Sequence, residues 1–151
     1  MIVDANVLLY AADRSSRFHD GASDWLERAL NGPSWIGLPW QSLVAFVRIA
    51  THPRAVARPL TAADAWRQVE NWLAADVAWM PVPTDRHREV FGRLITVNDI
   101  RGNLVGDAHL AALAIEHGVG VCSADSDFAR FPEVRWVNPV ASAATPPDLA
   151  G

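Results

Sequence analysis

Apolar and polar positions along the chain alternate between two rhythms. Short unbroken apolar or β-branched runs at residues 1–4, 34–38, 77–82, 119–123 and 134–137 read as strands. Between them the apolar positions recur at spacings of three and four, which predicts helices. The run Val7, Leu8, Leu9, Tyr10 places a helix over residues 6–12, and Ala22, Trp25, Leu26, Ala29 and Leu30 place one over His19–Leu30, stopped by Asn31-Gly32-Pro33. Pro39 suits the first turn of a third helix, whose Leu43, Val44, Phe46, Val47 and Ala50 predict a helix that is nearly all core. After an expected extended connection at 53–59, Thr61 with Asp64 starts a fourth, carrying Ala65, Trp66, Val69, Trp72 and Leu73. Residues 85–97 form a fifth, followed by the polar turn Asn98-Asp99-Ile100-Arg101-Gly102-Asn103. Gly106-Asp107 then opens an alanine-rich helix over 109–117 closed by Gly118, and Phe128 to Phe131 make a one-turn piece.

Strands separated by helices, with no tight hairpin signal, predict an α/β fold: an α/β/α sandwich with a central parallel sheet. The expected organisation is one domain over residues 1–140 and a solvated tail over 141–151. A chain of 151 residues, half of them hydrophobic, is long enough for a single core. No apolar run approaches the roughly 20 residues of a bilayer span, so no membrane association is expected. The one cysteine, Cys122, makes no internal disulfide, and Met1-Ile2-Val3-Asp4 lacks the features of a signal peptide; a reducing, cytoplasmic setting is expected.

Charge narrows the chemistry. All 13 basic residues are arginine, so Schiff-base, P-loop-lysine and receiver-type mechanisms are excluded. A net charge of −4 is not the footprint of a high-affinity nucleic-acid binder, and any such role must come from a local site. In an open parallel sheet functional groups gather beyond the carboxyl ends of the strands. Asp4 follows the first strand, Asp125 and Asp127 follow the fourth, and Asp107 begins a helix after a polar loop. If the first and fourth strands are neighbours, these carboxylates cluster, and like charges at close range demand a counter-charge. Oxygen-only donors suit Mg²⁺ or Mn²⁺, whereas the five histidines form no zinc pattern. Competing local roles exist: Asp107 as a carboxylate at a helix start, Asp125 or Asp127 as the cap of the Phe128 turn, and Asn6 as a helix cap.

The segments Ile2-Val3-Asp4-Ala5-Asn6, Asn103-Leu104-Val105-Gly106-Asp107-Ala108-His109 and Ser123-Ala124-Asp125-Ser126-Asp127-Phe128, in this order, resemble the PIN-domain ribonucleases, and more narrowly the VapC toxins of bacterial VapBC systems. Phe46-Val47-Arg48-Ile49-Ala50-Thr51-His52-Pro53 is similar to a signature of an actinobacterial branch of these toxins. The resemblance implies Asp4 and Asp107 as principal metal ligands, Asp125 as a third site carboxylate, and Asn6 and Asp127 as supporting groups. It implies a Mg²⁺-dependent (or Mn²⁺-dependent) endoribonuclease, the toxin of a type II toxin–antitoxin pair, hydrolysing single-stranded or loop RNA, with Arg14, Arg48 or Arg101 as candidate phosphate contacts. It also implies a VapB-type antitoxin and a homodimer, for which Trp66, Trp72, Trp79 and the Phe46 helix are the expected apolar surface. The family's usual glutamate on the helix after the second strand aligns with Ala45, and no acidic residue occurs between Glu27 and Asp64. Gln41, one turn earlier on the same face, either brings its carbonyl to a metal-bound water or serves only as a cap or a solvent-facing group. The alternative function is a catalytically degenerate PIN domain that binds RNA or protein. A phosphoryl-transfer enzyme or receiver domain using Asp4 as nucleophile is a further rival, for which the chain lacks both a lysine and the Asp-x-Asp spacing near the first strand.

Overall fold

The computed structural model describes residues 1–141; the expected tail falls, apart from Ala141, outside the described residues. Five two-residue strands pair in parallel: β1 (Ile2–Val3), β2 (Ile36–Gly37), β3 (Ala78–Trp79), β4 (Val121–Cys122) and β5 (Trp136–Val137). Their spatial order is β3-β2-β1-β4-β5. Chain order therefore reverses between β1 and β4, whose register is Ile2 with Val121 and Val3 with Cys122. The helices are α1 (Ala5–Ala12), α2 (His19–Leu30), α3 (Trp40–Ala50), α4 (Ala62–Leu73), α5 (His87–Val97) and α6 (Leu104–His117), with a 3₁₀ turn at Ser126–Arg130.

The pleat explains the layers. Ile2 and Val121 join one core with Val90, Leu94, Leu110 and Leu113 of α5 and α6. The next residue of each strand, Val3 and Cys122, joins the other core with Val7, Leu26, Phe46 and Val69 of α1 to α4. Adjacent side chains leave opposite faces of a strand, so two residues per strand suffice to anchor both helical layers. Gly120 leads into β4 where a Cβ would lie 2.6 Å from the Arg135 carbonyl, and Gly118 ends α6 at φ 65°; both positions require glycine.

Several expectations change. The hydrogen-bonded strands are shorter than the apolar runs; the third stops at Trp79, and Pro81 just beyond has no N–H for a ladder. The 53–59 connection is not extended: Ala55 and Val56 donate to the His52 carbonyl and Arg54 N–H donates to His52 Nδ1, which curls the segment. α6 begins at Leu104, so Gly106 and Asp107 lie within its first turn. α3 is not all core. Leu43, Phe46 and Ala50 are buried, but Trp40 and Val44, one turn apart, face outward, because the helical period carries them to the opposite side. Trp66 of α4 is likewise exposed, whereas Phe46 and Trp72 meet edge to face within the core at 4.8 Å. Of the apolar surface anticipated for a partner, Trp72 is instead core, Trp66 is exposed, and the Phe46 helix exposes Trp40 and Val44 while Phe46 itself is buried.

Candidate active site

The switch between β1 and β4 builds the site. Asp4 N–H extends the β1–β4 ladder to the Cys122 carbonyl at 2.9 Å, which sets Asp4 beside Ser123 at the carboxyl ends of both strands. Asp4 Oδ1 accepts from Ala5 N–H at 2.7 Å, so Asp4 itself caps α1. Asp4 Oδ2 accepts from Ser123 Oγ at 2.6 Å and from Asn6 Nδ2 at 3.1 Å. Asn6 is not the cap; it lies within α1 and bridges the strands, donating also to Ser123 Oγ at 3.0 Å and accepting from Ala124 N–H at 3.1 Å.

Ser123, to which the sequence reading assigned no role, is the hub of this network. It is fully buried; its Oγ also accepts from Asp125 N–H at 3.0 Å, and its carbonyl accepts from Trp136 Nε1 at 2.9 Å. A serine at the end of an apolar strand beside an Asp-x-Asp pair was the available signal. Asp125 Oδ1 accepts from Asp127 N–H at 2.9 Å, which makes Asp125, not Asp127, the cap of the 3₁₀ turn. Asp127 Oδ1 accepts from Arg130 Nε at 3.2 Å.

Asp107 arrives from α6. One carboxylate oxygen from each of Asp107, Asp125 and Asp127 lies within 4.8 Å of the others. Asp4 is adjacent and acts on Asp107 through its charge; Ser123, Asn6 and Ala5 hold its carboxylate, and Oδ1, which accepts from Ala5 N–H alone among the described residues, keeps a lone pair for a cation. Burial, followed by the charges of Asp125, Asp4 and Asp127, pushes the Asp107 carboxyl up to about 7. Burial also raises Asp4, against the opposing pull of the Ser123 hydroxyl and the Ala5 N–H. Two carboxyls that resist ionisation beside two further carboxylates fit a cation: a divalent ion relieves the repulsion, and an all-oxygen donor set with hard ligands is the kind Mg²⁺ and Mn²⁺ accept.

Gln41 neither caps a helix nor faces solvent. Its Nε2 donates to the Gly106 carbonyl at 2.9 Å, one residue before Asp107. Ala45 sits half-buried one turn on, and α3 brings no carboxylate to the site. Of the arginines anticipated at the site, Arg101 is tied to Asp99 at 2.7 Å. His109 packs against His87 and Phe91.

Comparisons with known proteins identify the fold and the family. The PIN domain family profile matches residues 1–134. The chain is 49% identical over 140 residues to ribonuclease VapC37 of Mycobacterium tuberculosis, covering 93% of this chain and 97% of that one. It is 40% identical over 140 residues to ribonuclease VapC43 of the same organism, covering 93% and 95%. Among solved structures, the VapBC2 complex of Rickettsia felis bound to promoter DNA superposes with a TM-score of 0.66 at 17% identity, covering 91% of this chain and 96% of that one. VapBC-1 of nontypeable Haemophilus influenzae gives 0.65 at 11% identity, with the same coverage; both likenesses speak to the fold. A nuclease fold whose strand ends gather carboxylates, matched along almost its whole length by named ribonucleases, places the sequence: the chain belongs to the PIN-domain family and, within it, to the VapC ribonucleases.

Proposed function

We propose that this protein is the toxin of a type II toxin–antitoxin pair, an endoribonuclease that hydrolyses RNA phosphodiester bonds with Mg²⁺ or Mn²⁺ held by Asp4, Asp107 and Asp125. The observation that carries the reading is the convergence of Asp107, Asp125 and Asp127 beside Asp4 at the β1–β4 switch, with Asp107 pushed to about 7. A bound divalent ion supplies water acidification and charge stabilisation on the phosphoryl group. The chain's own residues shape the rest. Ser123 and Asn6 orient Asp4; the Asp125 cap holds the 3₁₀ turn so that Asp127 stands within the cluster; Arg130 sits against Asp127 as a local positive charge able to face a phosphate. Asp107, pushed up to about 7, is only partly ionised near neutrality when nothing neutralises the cluster, so cation binding and Asp107 ionisation are linked. Cleavage of a single-stranded RNA by the purified protein, with mapping of the new ends, tests the activity.

The same reading places the protein in the cytoplasm; among the described residues no helix is long and apolar enough to cross a membrane. It also carries a homodimer and a VapB-type antitoxin as partners. Trp40 and Val44 on α3 and Trp66 on α4 supply exposed apolar surface for association. A dimer at micromolar concentration in sedimentation, and recovery of a bound antitoxin on co-expression with the adjacent upstream reading frame, are the expected results. A monomer with no partner would count against both.

With Ala45 at the position to which the resemblance assigns a glutamate, α3 adds no carboxylate to the site. Ala45→Glu is therefore expected to tighten Mn²⁺ binding, on the order of 10-fold by calorimetric titration. No gain would mean that this face of α3 does not look toward the metal.

A further inference from the structure

α3 brings no acid to the cluster, but it does touch the turn that holds Asp107. Gln41 Nε2 donates at 2.9 Å to the carbonyl of Gly106, the residue before Asp107 in the first turn of α6. A carbonyl only accepts, so this contact fixes which end of the amide faces α6 and leaves Oε1 on the other side. Oε1 is buried, and no donor among the described residues reaches it. Packing alone would favour an apolar side chain at this position, because a buried acceptor without a donor costs free energy. The contact is also fitted from the other side. A Cβ on Gly106 would lie 3.3 Å from Gln41 Nε2, the one atom from outside that turn within 4 Å. Glycine before Asp107 thus leaves room for the amide.

We propose that Gln41 is a positioning residue for Asp107: its amide N–H holds the Gly106 carbonyl and so sets the first turn of α6 against α3, fixing where the Asp107 carboxylate meets Asp125 and Asp127. The proposal rests on the reading of the acidic cluster as a metal site. It makes the N–H donor, not added charge, the contribution of this part of α3, and it pairs Gln41 with Gly106 as one unit.

The test is calorimetric titration of the full chain with Mn²⁺ alone, with circular dichroism as the check on folding and RNA cleavage kinetics as a second readout. Gln41→Met is expected to remain folded, to lose about 10-fold in Mn²⁺ affinity and to lower kcat with KM little changed. Gln41→Glu is expected to weaken binding as well, despite its extra charge, because a carboxylate offers the Gly106 carbonyl no donor. Gly106→Ala is expected to give a smaller loss that disappears in the Gln41→Met background, since coupled residues are not additive. Should Gln41→Met fail to fold, the Gln41→Glu and Gly106→Ala variants still decide. Unchanged affinity in the Gln41 variants, a gain with Gln41→Glu, or losses that add with Gly106→Ala would overturn the positioning role while Asp107→Asn still abolishes Mn²⁺ binding. Mn²⁺ binding that survives Asp107→Asn would instead bring down the metal-site reading itself.

Discussion

Asp107→Asn is expected to reduce RNA cleavage by about 10²–10⁴-fold while making the metal-free protein more stable at pH 8. The magnitude is that of removing a group that acts on the reacting centre, and the stability gain follows from the charge cluster. In the folded protein Asp107 titrates near 7, above the ordinary carboxylate range. A folded state that holds a proton where the unfolded chain has lost it becomes less stable as pH rises from about 4 through 7. Asparagine cannot ionise, so the variant escapes that loss, and its advantage should grow over the same interval and level off above it. Because Asp107 is partly open to solvent, screening reduces the effect well below the full shift, to on the order of 1 kcal/mol, or roughly 2–4 °C in Tm. Saturating Mg²⁺ should reverse the order by stabilising only the wild type. Thermal melts at pH 5 and 8, with and without Mg²⁺, check all three statements. A destabilised variant at pH 8 without metal would make Asp107 a structural residue.

Ser123→Ala should have the second largest effect although serine carries no charge. The hydroxyl donates to Asp4 Oδ2 and accepts from Asn6 Nδ2 and Asp125 N–H, so its loss takes the partner from Asp125 N–H and one of two hydrogen bonds from each of Asp4 Oδ2 and Asn6 Nδ2, around a fully buried position. A cost of about 1–3 kcal/mol in stability is expected. The Ser123 bond also opposes the burial that raises Asp4. Without it Asp4 ionises less readily, and Mn²⁺ affinity is expected to fall roughly 10–100-fold, the range typical for groups that orient metal ligands. Calorimetry of Ser123→Ala beside Ser123→Thr, which keeps the hydroxyl, separates the bond from the packing: equal losses in both would assign the effect to shape.

Much of this was legible in the chain because periodicity reports which residues share a face. The alternation of short apolar runs with helical spacings leads to the parallel sheet, and the rule that functional groups gather beyond strand ends leads to Asp4, Asp125 and Asp127, while Asp107 is legible as a carboxylate at a helix start after a polar loop. What periodicity does not report is whether a face is covered. Val44 and Trp66 carry the spacing of core residues and point outward. Contacts that depend on register were equally hidden. Ser123 and Asn6 stand 117 positions apart and meet only because β1 pairs with β4 in one particular register. Asp125 and Asp127, two residues apart, would diverge on a regular helix; they join one cluster because Asp125 caps the turn that holds Asp127. The start of α6 was misplaced because Gly106 looks like a helix opener, whereas it is an interior glycine that accommodates Gln41.

The most direct test is single-turnover cleavage of an end-labelled single-stranded RNA by the purified protein with Mg²⁺, with EDTA, and with EDTA followed by excess Mg²⁺. The acidic cluster as a metal-dependent nuclease site predicts cleavage with Mg²⁺, its loss in EDTA and its return when the ion is restored, with Asp107→Asn slower by about 10²–10⁴-fold where the wild type cleaves. Cleavage that persists in EDTA would contradict it, as would RNA that is bound but left intact under every condition.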